Sequence, residues 1–143
     1  MNITALQRLG TGLALAAGLY GCGGSSALVD PTLRATAYGQ VQGNDDSAAT
    51  GTYSWKGIPF AKPPVGTLRW KAPVDPAAWS GTLTTRSFGN ACIQYGRIYG
   101  PGANNKYDAT IGTTLNTAVG SEDCLTLNIW RPASTDASMP VIY

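Results

Sequence analysis

One missing residue type bounds the chemistry of this chain. Its 143 residues include no histidine. A Ser-His-Asp relay, a Cys-His nucleophile and a His-ligated metal centre each need an imidazole, so this chain alone can build none of them. The side chains that could react or pair are three cysteines, Cys22, Cys92 and Cys124, and one conspicuous cation, Arg69, set between Leu68 and Trp70. No catalytic, cofactor-binding or metal-binding residue is assigned. The net charge of +2 comes without a basic cluster, which argues against a nucleic-acid partner.

Cys22 belongs to the N-terminus. Arg8 precedes a short apolar run from Leu9 to Tyr20 that is rich in Ala, Leu and Gly. Crossing a bilayer takes about 20 apolar residues, so the run reads as the h-region of a signal peptide over residues 1–21. Leu19-Tyr20-Gly21-Cys22 resembles a bacterial lipoprotein cleavage box, with Tyr20 in place of the usual small residue. Lipidation of Cys22 is expected, giving a lipid anchor to a membrane worth about 0.8 kcal/mol per buried CH₂. Ordinary cleavage near Ala27 is the alternative. Either way the chain is exported, as an outer-membrane lipoprotein or a periplasmic or secreted protein. Gly23-Gly24-Ser25-Ser26 then opens a flexible tether, 22–35.

Cys92 and Cys124 flank the long aperiodic stretch 93–120, which contains Gly100-Pro101-Gly102 and Asn104-Asn105. A loop of this length calls for closure. In an exported chain, paired cysteines favour a disulfide over a metal site. Arg69 has two readings: a solvated surface cation, or a partly buried guanidinium that needs an acid from elsewhere.

The elements that position these residues are β-rich, as 18 Gly and 9 Pro suggest. Residues 36–43 are expected as one strand, Asn44-Asp45-Asp46-Ser47 as a turn, and 51–57 as the hairpin partner. Prolines 59, 63 and 64 forbid a helix or a central strand there. Phe60, Trp70 and Trp79 are expected to pin the loops by burial. After Cys124, Leu125, Leu127 and Ile129 alternate with Thr126, Asn128 and Trp130. That is a strand, and it should end near Arg131 because Pro132 has no N–H to donate. A second strand is expected over 139–143.

Several of these blocks together resemble the type B carboxylesterase/cholinesterase family. They are Gly57-Ile58-Pro59-Phe60-Ala61-Lys62-Pro63-Pro64-Val65-Gly66-Thr67-Leu68-Arg69-Trp70, then Trp79-Ser80-Gly81, Phe88-Gly89-Asn90-Ala91-Cys92-Ile93-Gln94, and Ser121-Glu122-Asp123-Cys124-Leu125-Thr126-Leu127-Asn128-Ile129-Trp130. The resemblance covers residues 36–143, with the blocks in family order. It implies an α/β-hydrolase fold, of which this chain holds a β-rich N-terminal portion: a small antiparallel sheet and the first strands of the central sheet. It implies a Cys92–Cys124 bridge and an ion pair between Arg69 and Glu122. It also implies a small-molecule ester as substrate and a serine nucleophile as the attacking group.

The family's machinery is not in these residues. In relatives, a strand like 139–143 runs into a His-Gly-Gly oxyanion loop, and a Gly-x-Ser-x-Gly elbow follows far downstream. Gly24-Ser25-Ser26 and Trp79-Ser80-Gly81 do not match that elbow. The chain therefore reads as a truncated or fragmentary front end of an exported carboxylic-ester hydrolase, inactive by itself. The alternative is a non-catalytic exported lipoprotein that binds a partner. Tyr95, Tyr99 and Tyr107 either edge a substrate gorge or pack their own loop.

Overall fold

Where one strand was expected over 36–43, the chain turns back on itself. The computed structural model describes residues 29–142, so the signal segment and Cys22 lie outside the described residues. Strands β1 (Leu33–Thr36) and β2 (Gly39–Gln42) pair antiparallel, with Thr36 opposite Gly39. The reversal is built by Thr36, whose Oγ1 accepts from the Tyr38 N–H at 3.1 Å and donates to the Gly39 carbonyl at 2.8 Å. This side chain–backbone turn outcompetes a continued strand. β1 thus begins inside the stretch that composition assigned to the tether.

The expected hairpin is also corrected. Asn44–Asp46, read as a turn, is a strand (β3), antiparallel to β4 (Thr52–Pro59). The connection is a one-turn helix, α1 (Ser47–Thr50), closed by Gly51 at φ 69°. On its other side, β4 pairs antiparallel with β8 (Thr126–Pro132). β8 ends at Pro132, as the missing N–H requires.

β4 carries a bulge between Trp55 and Ile58. Gly57 occupies it at φ 72°, and its N–H donates to Asn128 Oδ1 at 2.9 Å. The ladder hydrogen bond lost to the bulge is thereby replaced by a side chain.

Two three-stranded sheets result, β1-β2-β5 and β3-β4-β8, with β5 (Thr82–Thr84) parallel to β2. Their junction is the core. Val41, Ser54, Trp55 and Thr85 are all buried there. The Trp55 indole N–H donates to the Thr32 carbonyl at 2.7 Å, and the Arg34 guanidinium lies 5.6 Å from the ring centroid. Thr85 takes both its hydroxyl and its N–H to the Gln42 carbonyl. Its own carbonyl accepts from the Lys56 N–H at 2.8 Å. One residue thus stitches β2 to β4.

The alternation of β8 is present, but neither of its faces is buried: Leu127, Ile129 and Trp130 are all exposed. Among the described residues, no strand pairs with the outer edge of β8. Residues 139–142 form no strand. They have no ladder partner, and Val141 and Ile142 stand open to solvent. An apolar run becomes a parallel strand only where neighbours supply hydrogen bonds on its edges and cover on its faces.

The glycines at positive φ make a test. Replacing Gly51 with Ala meets open space, so only backbone strain is felt, about 1 kcal/mol. At Gly57 a Cβ would also meet the Ser87 carbonyl at 2.9 Å and the Gly89 nitrogen at 3.0 Å. Gly57→Ala should therefore cost more, about 1–3 kcal/mol. Urea unfolding of the two variants measures the difference.

Candidate functional site

The proline-rich segment reaches the site by a tight path. Val65 to Leu68 forms one 3₁₀ turn, with the Leu68 N–H on the Val65 carbonyl at 3.0 Å. Arg69 follows and meets Glu122 in a two-point fork. Its Nε–H donates to Oε1 and its Nη2–H to Oε2, the latter at 2.6 Å. The side chains are 54% and 31% exposed, so the pair is neither a free surface cation nor a buried ion pair. A pair this open adds little to stability. The bidentate geometry does fix direction, and it ties the proline-rich segment to the stretch that leads into β8.

The fork also acts on acidity. The hydrogen bond from Arg69 holds the Glu122 carboxyl below its ordinary 4.5, and partial desolvation opposes this only in part. The same hydrogen bond raises Arg69.

Two residues beyond Glu122 lies Cys124, bridged to Cys92 with their Cα atoms 5.1 Å apart. The bridge closes a loop between cysteines 32 positions apart, which in the chain-entropy account contributes about 3–4 kcal/mol. The loop is more regular than its sequence suggests. β6 (Gln94–Tyr95) pairs antiparallel with β7 (Ala118–Val119). The Ser121 N–H reaches the Ala91 carbonyl at 2.9 Å, and Asn90 Nδ2 donates to the Asp123 carbonyl at 3.1 Å. At the far end, Asp108 accepts from the hydroxyl and the N–H of Thr110 and from Asn104 Nδ2. The Thr110 hydroxyl is the main reason its carboxyl sits below the usual range. This staple was missed in the sequence, although Asp-x-Thr is a recognisable turn signature.

Between the proline-rich segment and this loop runs a mainly apolar groove of about 670 Å³. Pro59, Ala61 and Leu68 line one side, Asn90, Lys106 and Asp123 the other. Its lining includes Lys62, Lys106, Asp123 and Thr126 but no serine, cysteine or histidine. Tyr95 and Tyr99 do not pack their loop; they are 69% and 86% exposed. Tyr107 is less exposed, with its hydroxyl 3.5 Å from Gln94 Nε2. Of the three aromatics expected to be buried, Trp79 alone is well engaged, donating its indole N–H to the Gln40 carbonyl at 2.8 Å. Phe60 is half-exposed and Trp70 fully exposed.

Glu122 should leave a pH signature. Its folded value lies below the ordinary carboxyl value, so its contribution is complete above about pH 4.5 and is lost as pH falls through the lower folded value. Unfolding midpoints of the parent and Glu122→Gln should differ near neutrality and converge in acid. A gap that persists unchanged at the acid end would contradict the fork.

Comparison with known proteins places this arrangement. The model of the carboxylesterase family matches residues 30–143. The chain is 35% identical over 107 residues to para-nitrobenzyl esterase of Bacillus subtilis, covering 75% of this chain and 19% of that protein. It is 42% identical over 104 residues to fumonisin B1 esterase of Sphingopyxis macrogoltabida, covering 72% and 16%. With acetylcholinesterase of Electrophorus electricus it shares 36% identity over 115 residues, covering 77% and 17%. A solved para-nitrobenzyl esterase structure superposes with a TM-score of 0.52 at 33% identity, covering 73% of this chain and 19% of that one. The chain thus spans about a fifth or less of the length of these relatives. With its blocks, its fork and its bridged loop together, the chain belongs to the carboxylesterase family and carries the β-rich N-terminal portion of the α/β-hydrolase fold.

Proposed function

We propose that this chain is the front part of an exported carboxylic-ester hydrolase that attacks small-molecule esters with a serine. The observation that carries this reading is the family match over 30–143, joined to the clamped loop beside an apolar groove. Para-nitrobenzyl esterase and fumonisin B1 esterase are named as esterases, and they match this chain in the same region. In this reading residues 29–142 do no bond-breaking. They form a wall: the disulfide closes the loop, the fork seats it against the proline-rich segment, and the groove between them receives apolar substrate surface. The nucleophile, its base and the oxyanion donors come from residues after Tyr143.

The test starts with the DNA. The frame beyond Tyr143 should encode a His-Gly-Gly loop and a Gly-x-Ser-x-Gly elbow. The product should hydrolyse a short-chain aryl ester and lose all turnover after a serine-reactive phosphonate. Residues 1–143 alone should give no phosphonate-sensitive turnover. A stop at Tyr143, with no such sequence downstream, would favour a non-catalytic binding module.

Export rests on Arg8, the apolar run and Leu19-Tyr20-Gly21-Cys22. In this reading Cys22 becomes the acylated N-terminus and anchors the protein to a membrane. Mass spectrometry of the mature protein should find lipid on Cys22. A free terminus near Ala27 would remove the anchor and leave only ordinary secretion.

A further inference from the structure

The long loop is closed twice, once by its disulfide and once without it. β6 and β7 zip its neck. Beside them the Gly96 N–H donates to the Thr117 carbonyl at 2.9 Å, and the Ser121 N–H to the Ala91 carbonyl at 2.9 Å. None of these bonds uses a sulfur. Glu122 is held differently. It lies in the stretch 121–125, which is neither helix nor strand. The bonds inside that stretch span only two residues: the Asp123 N–H on Ser121 Oγ at 3.1 Å, and the Cys124 N–H on the Glu122 carbonyl at 3.1 Å. Such bonds bend the chain without the repeated support of a helix or a ladder. The bond from Asn90 Nδ2 to the Asp123 carbonyl is exposed to water. The covalent tie is at Cys124, two residues from Glu122.

We propose that the Cys92–Cys124 bridge is a redox-sensitive latch on the Arg69–Glu122 fork: reducing the bridge frees Glu122 from Arg69 and leaves the loop shut. An exposed ion pair gains little and must offset the entropy of holding both side chains. It forms where the backbone is already fixed, and the bridge fixes it for Glu122. Cys92 is exposed and Cys124 half-buried, so a thiol can reach the bond, and exposed disulfides are the labile ones. A dithiol supplies the two electrons. One of its thiolates attacks Cys92 Sγ, and Cys124 leaves as a thiolate. The second thiol of the reductant then closes on the first and releases Cys92. The products are two protein thiols, carrying the two protons that the dithiol lost, and a cyclic disulfide. The proline-rich segment thereby loses its side-chain tie to the stretch that leads into β8. This latch does not depend on the hydrolase reading.

The experiment compares the folded product of the gene before and after reduction with dithiothreitol. Carboxyl NMR follows the titration of Glu122, identified by the signal that Glu122→Gln removes. In the oxidised protein Glu122 should titrate below its ordinary 4.5, and reduction should return it to that value. Hydrogen exchange follows the neck, where the Gly96 and Ser121 amides should stay protected in both states. A Glu122 titration that reduction does not move overturns the latch. Loss of protection at both amides on reduction overturns it as well, because the loop has then opened with the bridge. Linkage gives an independent reading, since a fork that depends on the bridge must also favour the bridge. Arg69→Gln should lower the dithiothreitol concentration for half reduction about two- to fivefold. Equal concentrations for parent and variant show the two ties to be independent and overturn the proposal.

Discussion

The backbone of β4 has donors and acceptors on both edges, and each row must be paired or left to water. β3 takes one edge and β8 the other, with Thr52 opposite Pro132 and Pro59 opposite Thr126. That second pairing joins distant parts of the chain and sets the position of nearly everything else. It places Cys124, just before β8, within bonding distance of Cys92, and Glu122 within reach of Arg69. The bulge at Gly57 belongs to the same ladder, because Asn128 on β8 satisfies the N–H that the bulge frees.

The interior behind this ladder is small and partly polar. Ser54 and Thr85 are buried alongside Val41 and Trp55. They are tolerated because each hydroxyl has a partner: Ser54 donates to Asp46 at 2.8 Å and Thr85 to the Gln42 carbonyl at 3.0 Å. Larger apolar side chains lie outside, on β8 and on the bridged loop. Scattered exposed apolar residues are ordinary, but Leu127 and Ile129 lie on one strand at an open sheet edge. A surface of that kind is a template for another strand or layer, which fits a segment spanning under a fifth of the esterases it resembles.

How much of this was legible in the sequence depended on the range of the interaction. Pro132 ends β8 for a reason carried by one residue, and it was legible. The pairing of Cys92 with Cys124 followed from loop length and the expectation of export. The partner of Arg69 did not. Charge alone left it open between solvent and an acid, and Glu122 came from the family resemblance. The misreadings share a cause. The 36–43 stretch has strand-forming residues, yet the Thr36 hydroxyl and the carbonyl of Gly39 make a turn that composition does not reveal. Asn44–Asp46 looks like a turn by residue type, yet β4 offers it a ladder. Residues 139–142 look like a strand, yet no ladder is offered to them. Strand identity is set by available partners more than by propensity.

The burial of Trp70 was misjudged for a related reason, and the error is informative. A tryptophan among prolines is expected to pin its loop, because it has more apolar area to hide than any neighbour. Here the loop is held by other means: a 3₁₀ turn, the Arg69–Glu122 fork and the Lys62 N–H on the Val74 carbonyl at 2.8 Å. None of these needs the indole, so the geometry of the segment is complete before Trp70 is placed. The fork then has a role that its modest energy would not suggest. Arg69 stands extended beside the fork, and the next residue lies in the left-handed region. An exposed ion pair that contributes little to stability can still fix how two distant segments of the chain meet.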